Sequence, residues 1–430
     1  MAILNSNQDG MFFKSLLFQC MLVHFFFLNV LSETHWEDIK VLKQFKDSID
    51  PDSIRNASCL STWDFSLDPC DNLYGEKFTC GLRCDVIQGS VNRVTEVSLE
   101  EASYKGLLNS VNWNLPYLET LDFTGNYFYG SVPDSFGNLT RLKKLRVSSN
   151  SISGSVPDSI GFLSSLEELY LDNNFLEGTL PLALNGLENI KRLELQGNKF
   201  SGLFPDLSQL IHLDYLHASD NAFSGQLSEH FPPSLIEFSM RNNTFRGEIP
   251  SGVIELANLQ VLDLSHNQLS GSVPASLFTH LALQQLTLSD NKFGSIQDPD
   301  TSSLVLNSQL IALDLSNNEI SGFLPGFMGL MPQLSALSLE NNRFSGFIPT
   351  LYATRVFFPG QGLARFERLL LGGNYIYGAI PRTWLNLEAG SVTVRLGDNC
   401  FYRCPLRYFL CEGGVQKSFN ECQAFSSIIP

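Results

Sequence analysis

Residues 259–274, Leu259-Gln260-Val261-Leu262-Asp263-Leu264-Ser265-His266-Asn267-Gln268-Leu269-Ser270-Gly271-Ser272-Val273-Pro274, carry the pattern on which the rest of the chain is built. Apolar side chains at its first, fourth and sixth places, Leu259, Leu262 and Leu264, point inward around one short strand. Asn267, at the ninth place, has an amide with both donors and acceptors, suited to buried backbone groups at the bend that follows. Aligned on that Asn, the register returns at Asn126, Asn150, Asn174, Asn198, Asn221, Asn243, Asn291, Asn318, Asn342, Asn374 and Asn399, with a usual step of 24 residues. The apolar offsets return with it, as in Leu166, Leu169 and Leu171 before Asn174, or Leu235, Phe238 and Met240 before Asn243. Most repeats continue with glycine and an apolar-proline pair, as in Gly130-Ser131-Val132-Pro133 and Gly378-Ala379-Ile380-Pro381, where the backbone turns away from the strand. Self-similarity at this period predicts an α/β repeat solenoid. Its stacked units share one continuous core, so 430 residues count as a single domain.

The extended form, L-x-x-L-x-L-x-x-N-x-x-x-G-x-I-P, resembles the plant-type leucine-rich repeat of extracellular receptor-like proteins and receptor kinases, over roughly Trp36 to Cys422. That resemblance implies a curved array with a parallel sheet lining its inner face, and a role in extracellular recognition. The segment Asp68-Pro69-Cys70 with Phe78-Thr79-Cys80-Gly81-Leu82-Arg83-Cys84 departs from the paired-cysteine cap commoner in plant receptors.

Residues 1–32 read as a secretory signal peptide: Lys14 precedes a mostly apolar run that ends in small-residue cleavage geometry at Val30 and Ser32. The run holds Gln19, His24 and Asn29, too polar for a spanning helix of about 20 apolar residues. Residues 33–93 form an N-terminal cap, in which Thr34 and Glu37 have capping-box spacing and Ile39, Leu42, Phe45 and Ile49 follow at helical spacing until Asp50-Pro51. A first strand is expected at Val94, Val97 and Leu99, opening a solenoid of about 12–13 repeats over residues 94–399; residues 400–430 make a cysteine-rich C-terminal cap. Eight residues follow Cys422, so the expectation is an exported chain without the membrane helix and kinase domain of longer relatives.

Nine cysteines become eight once Cys20 is assigned to the leader. Cys59, Cys70, Cys80 and Cys84 precede the repeats and Cys400, Cys404, Cys411 and Cys422 follow them, so disulfides would staple the two ends where a solenoid lacks a neighbour. The Cys-x-x-x-Cys spacings also fit zinc, but export and terminal placement favour disulfides, with three connectivities open in each cluster.

A formal charge of −16 disfavours nucleic acid, anionic lipid and acidic polysaccharide as partners. The histidines are scattered, and His217 with His266 on one face would be too few ligands for a metal. No spacing specifies a catalytic mechanism, and no cofactor is expected. Asn56, Asn138 and Asn242 begin N-glycosylation sequons.

These observations predict a secreted, non-catalytic protein of the extracellular space or cell wall, soluble or peripheral at the plasma membrane. It would bind a protein, peptide or glycan in signalling or defence, with a receptor kinase ectodomain among the candidate partners. The alternative is an inhibitor of a microbial cell-wall hydrolase, resembling the polygalacturonase inhibitors. The expected ligand stripe is the inner-face row Arg146, Tyr170, Glu194 and His217, flanked by Asp172, Gln196 and Arg241, whose charges lack a self-pairing order. The adjacent row, Lys144, Glu168, Arg192, Tyr215 and Glu237, alternates in sign and is given to cross-strand pairing. Two repeats are long: Asn291 to Asn318 is 27 residues and Asn342 to Asn374 is 32. The second excess, with Arg355, Phe357 and Phe358, is expected to be an inserted surface loop presenting side chains typical of binding hot spots.

Overall fold

The computed structural model describes residues 33–425, apart from 74, 75, 77–79, 88–90, 302, 359, 361, 406 and 407. The expected leader and Cys20 lie outside the described residues. Each repeat begins with a three-residue strand such as Val261–Asp263, whose middle residue is buried while its neighbours face outward. Leu262 sits beside Phe238 on one side and Leu286 on the other, in parallel register. Repetition of that register gives a 14-stranded inner sheet among the described residues, running in chain order from Leu82–Ile87 to Thr393–Arg395. Its first pair is antiparallel and belongs to the cap.

Short strands after each bend form a second, outer layer in two parts. Among the described residues one has eight strands, from Tyr129–Gly130 to Lys292–Ile296, and the other four, from Ser321–Phe323 to Cys400–Phe401. Between the layers runs one continuous core of leucine, phenylalanine and valine side chains.

The recurring Asn stitches the repeats together. Asn267 Nδ2 donates to the carbonyls of Leu264 (3.2 Å) and Ser265 (3.1 Å) in its own bend and of Met240 (2.9 Å) in the preceding repeat, while its Oδ1 accepts from Phe245 N (3.0 Å). The same pattern recurs from Asn150 to Asn342. Each rung satisfies backbone groups that burial would otherwise strand. The residue before each Asn takes a left-handed backbone, with φ of 51° at Asn242 and 70° at Gly125. That explains why the position holds Gly, Asn, Asp, Ser or His and no β-branched residue.

Both ends are sealed. Helix Trp36–Asp47 lays Phe45 flat on Phe123, 4.9 Å between ring centres, with Trp63, Trp113 and Phe128 around it. Buried Asp38 clamps Arg93 through bonds of 3.0 and 2.7 Å and accepts from Val94 N (2.9 Å), which fixes the helix to the first repeat. The helix starts one residue later than the capping-box spacing suggested. His35 is the N-cap, its Nδ1 accepting from Glu37 N at 3.4 Å, because Thr34 is engaged by Asp68. Disulfides join Cys59 to Cys80 and Cys70 to Cys84 at this end, and Cys400 to Cys422 and Cys404 to Cys411 at the other. Each Cys-x-x-x-Cys pair is thereby divided between two bridges.

In the C-terminal cap Gln416 supplies a last rung. Its Oε1 accepts from Phe401 N (3.1 Å) and its Nε2 donates to Leu396 O (3.1 Å), the two bonds that the Asn of a following repeat would make.

The long repeat after Asn342 is not a surface loop. Residues Thr350–Phe357 form a helix whose Tyr352, Arg355 and Val356 are buried. Among the described residues no helix is long and apolar enough to cross a membrane.

Candidate functional site

On the inner face of the first half, the two rows distinguished by sequence are one network. Arg146 reaches back to Asp122 (3.6 Å) and forward to Glu168 (2.7 Å), and Lys144 also meets Glu168 (3.1 Å). Arg192 pairs with Glu194 (2.7 Å), and His217 lies between two carboxylates, with Nδ1 2.9 Å from Glu194 and Nε2 3.0 Å from Glu237. The second contact is an ion pair. Tyr170 lies under the Arg146 guanidinium at 4.9 Å and Tyr215 under that of Arg192 at 3.8 Å. The row expected to have no pairing order thus pairs diagonally with its neighbour, because side chains two residues apart on a strand share a face and reach across registers.

Burial alone would push the Glu194 carboxyl up and the His217 imidazole down. The hydrogen bond and charge they share, with Arg192 and Glu237 alongside, outweigh it, so Glu194 lies below and His217 above the ordinary value. Asp172 is buried, accepting from the Ser148 hydroxyl and from Asn173 Nδ2 (2.8 Å). Gln196 is half-buried and Arg241 exposed. His266 occupies the left-handed position before Asn267, facing Asp290 at 3.5 Å.

Arg355 belongs to the interior. Only 1% exposed, it donates to the carbonyls of Met331 (3.0 Å), Gly329 (3.2 Å), Ala364 (2.7 Å) and Leu334, and its guanidinium stacks on Phe366 at 4.2 Å. Burial pulls its pKa down to about 10. Phe357 is half-buried and Phe358 exposed, the two rings packed edge to face at 4.6 Å. The physical reason for this correction is the helix, which turns Arg355 toward the carbonyls of the preceding bend.

The feature that sequence reasoning passed over lies further along the inner face. A recess of about 300 Å³ opens over the strands that carry Gln285, Ala312, Ala336 and Arg368, with Thr287, Asp314, Ser338 and Glu340 beyond them. Burial pushes the Glu340 carboxyl up, and the nearby Arg395 and Arg368 offset only part of that. Both arginines are exposed and neither meets a carboxylate at ion-pairing distance among the described residues. The signal in the sequence was the drop in side-chain size from Tyr215 and Glu237 to Ala312 and Ala336 along one row.

The Asn residues of all three sequons, Asn56, Asn138 and Asn242, are exposed; Asn242 Nδ2 donates to Asp220 at 2.7 Å. Cys59, Cys80 and Glu100 come together, but the two sulfurs are bonded to each other and Glu100 accepts from Cys59 N at 2.6 Å.

Residues 97–265 match the family described as Leucine-rich repeat region, and residues 258–280 and 309–331 match Leucine Rich Repeat. A probable leucine-rich repeat receptor-like serine/threonine-protein kinase of Arabidopsis thaliana is 31% identical over 103 residues, which are 21% of this chain and 10% of that protein. Among solved structures, the plant peptide hormone receptor RGFR1 in complex with RGF2 superposes with a TM-score of 0.63 at 27% identity, over 72% of this chain and 47% of the receptor. The PEPR1–AtPEP1 structure gives 0.60 at 26%, over 85% and 55%. The chain therefore spans less than two thirds of the length of each of these relatives. With its Asn rungs, parallel inner sheet and disulfide-closed ends, the chain has the leucine-rich repeat fold and is similar to plant receptors built on that repeat.

Proposed function

We propose that this chain is an extracellular recognition protein that binds a peptide or protein ligand on the inner face of its later repeats, without catalysis. The observation that carries this reading is the contrast along that face. The early charges satisfy one another, whereas the later repeats offer a recess beside two guanidiniums, Arg368 and Arg395, that lie near Glu340 but make no ion pair among the described residues. Charges already paired gain little from a ligand, because a new contact must replace an existing one. Unpaired ones gain more. The Arg146, Tyr170, Glu194 and His217 row is accordingly assigned to the scaffold. Four disulfides agree with an oxidising compartment. One solved relative, at 27% identity, is described as a plant peptide hormone receptor in complex with RGF2.

The test is capture from plant extracellular fluid by the immobilised chain, in parallel with Arg368→Ala/Arg395→Ala and Arg146→Ala/His217→Ala forms. A peptide or receptor ectodomain retained by all but the first variant supports the reading. Loss confined to the second returns the site to the early repeats, and retention of a microbial hydrolase alone makes the chain an inhibitor.

A further inference from the structure

The floor of the recess says what kind of group it takes. Parallel pairing aligns Gln285, Ala312, Ala336 and Arg368 across four neighbouring strands of the inner sheet. Two adjacent methyl groups thus lie between two long side chains, in a row that elsewhere carries Lys144, Glu168, Arg192 and Tyr215. One step along the strands, Asp314 and Ser338 present oxygens beside them. The strands carrying Gln285 and Arg368 are three spacings apart, about 14 Å, which an extended chain crosses in about four residues. At about 300 Å³ the recess stands at the low end of binding pockets, which run from about 300 to 1,000 Å³. It holds one residue of an extended chain, side chain and backbone together. No aromatic ring lines it to stack on a sugar, and its polar rim does not suit a lipid or sterol.

Resting on the reading of the inner face as a peptide site, we infer that the recess is a specificity pocket. It seats one compact side chain, of the size of alanine, serine, threonine, valine or proline, from an extended polypeptide. Ala312 and Ala336 set the depth, and Asp314 and Ser338 meet the ligand backbone. A side chain long enough to press on those two methyl groups would have to displace strands that are hydrogen-bonded on both sides.

The probe is a synthetic positional-scanning library of extended octapeptides, applied to the wild type, Ala336→Ser, Ala336→Phe and a control, Thr120→Phe, which places the same ring in the same row over the paired half. Melting temperatures show that each variant folds. The expected result is enrichment of compact residues at one library position by wild type, Ala336→Ser and Thr120→Phe, with at least a tenfold loss of that enrichment in Ala336→Phe. Peptides retained without a preference for compact residues, or equally by Ala336→Phe, overturn the pocket and leave the peptide site standing. If no form retains any peptide, the reading of the inner face falls and the pocket with it.

Discussion

Arg355→Met is the most informative single change. The guanidinium is buried with no carboxylate partner among the described residues, so its worth lies in the carbonyls of Met328, Gly329, Met331, Leu334 and Ala364 and in the ring of Phe366. A charge-assisted hydrogen bond contributes about 1.5–3 kcal/mol, and each buried acceptor left alone costs about 1–3 kcal/mol. Against that stands the cost of desolvating the cation, several kcal/mol, which methionine removes. Because one cation serves five acceptors, the balance favours arginine, by roughly 3–5 kcal/mol. Urea denaturation followed by tryptophan fluorescence reads the change, since buried Trp384 donates to Ala353 O (2.9 Å) in the same helix. Arg355→Lys should recover only part of the loss, because an ammonium cannot fan out to carbonyls on several sides. A cost under about 1 kcal/mol for Arg355→Met, or lost ligand affinity at unchanged stability, would refute the assignment of this residue to the interior.

Three further expectations follow from the same geometry. His217 has its pKa raised in the folded chain, so its stabilisation is fully present below its unfolded value, about 6.5, and fades as pH rises through the folded value. The stability gap between wild type and His217→Gln should therefore shrink with rising pH, and a gap that stays constant from about pH 5.5 to 8.5 contradicts the clamp. Asn267→Ala removes four hydrogen bonds in mid-array and should cost about 2–4 kcal/mol, whereas Gln416→Ala removes two at the end and should cost about 1–2 kcal/mol, with faster amide exchange confined to residues near Leu396 and Phe401. Equal costs would show that Gln416 is not a terminal rung. Peptide mapping without reduction should return the pairs Cys59 with Cys80, Cys70 with Cys84, Cys400 with Cys422 and Cys404 with Cys411, and any pair joining the two ends would contradict the caps.

The array was legible because its rule is local: an amide side chain and three apolar offsets specify a bend wherever they occur, as at Asn174 and Asn243. The cysteine clusters were legible as staples, but their pairing depends on where Gly81 and Leu99 bring the chain back, which spacing does not encode. Arg355 was misread because a long repeat looks the same in sequence whether its excess loops out or coils inward. What separates the two is the helical spacing of Tyr352, Arg355 and Val356, visible once the helix is known. Gln416 stands outside the period and acts as a rung only through the fold. The diagonal pairing of Arg146 with Glu168 and of His217 with Glu237 requires a register offset that reading one row at a time leaves out. The recess was missed for a related reason, because alanine and serine attract no notice until their neighbours on the sheet are known to be long.

The division of the outer layer has a mechanical meaning. Its strands stop pairing between Ile296 and Ser321, where the 3₁₀ turn Leu304–Asn307 intervenes and Glu319 N still reaches Phe293 O at 2.9 Å. The inner strands remain hydrogen-bonded straight through, with Gln285 beside Ala312 and Ala312 beside Ala336. A beam notched on one side and intact on the other bends at the notch, and this one lies behind the strands that floor the recess. Compliance is thus concentrated where flexing changes the width of the recess, while the doubly sheeted early half keeps its curvature.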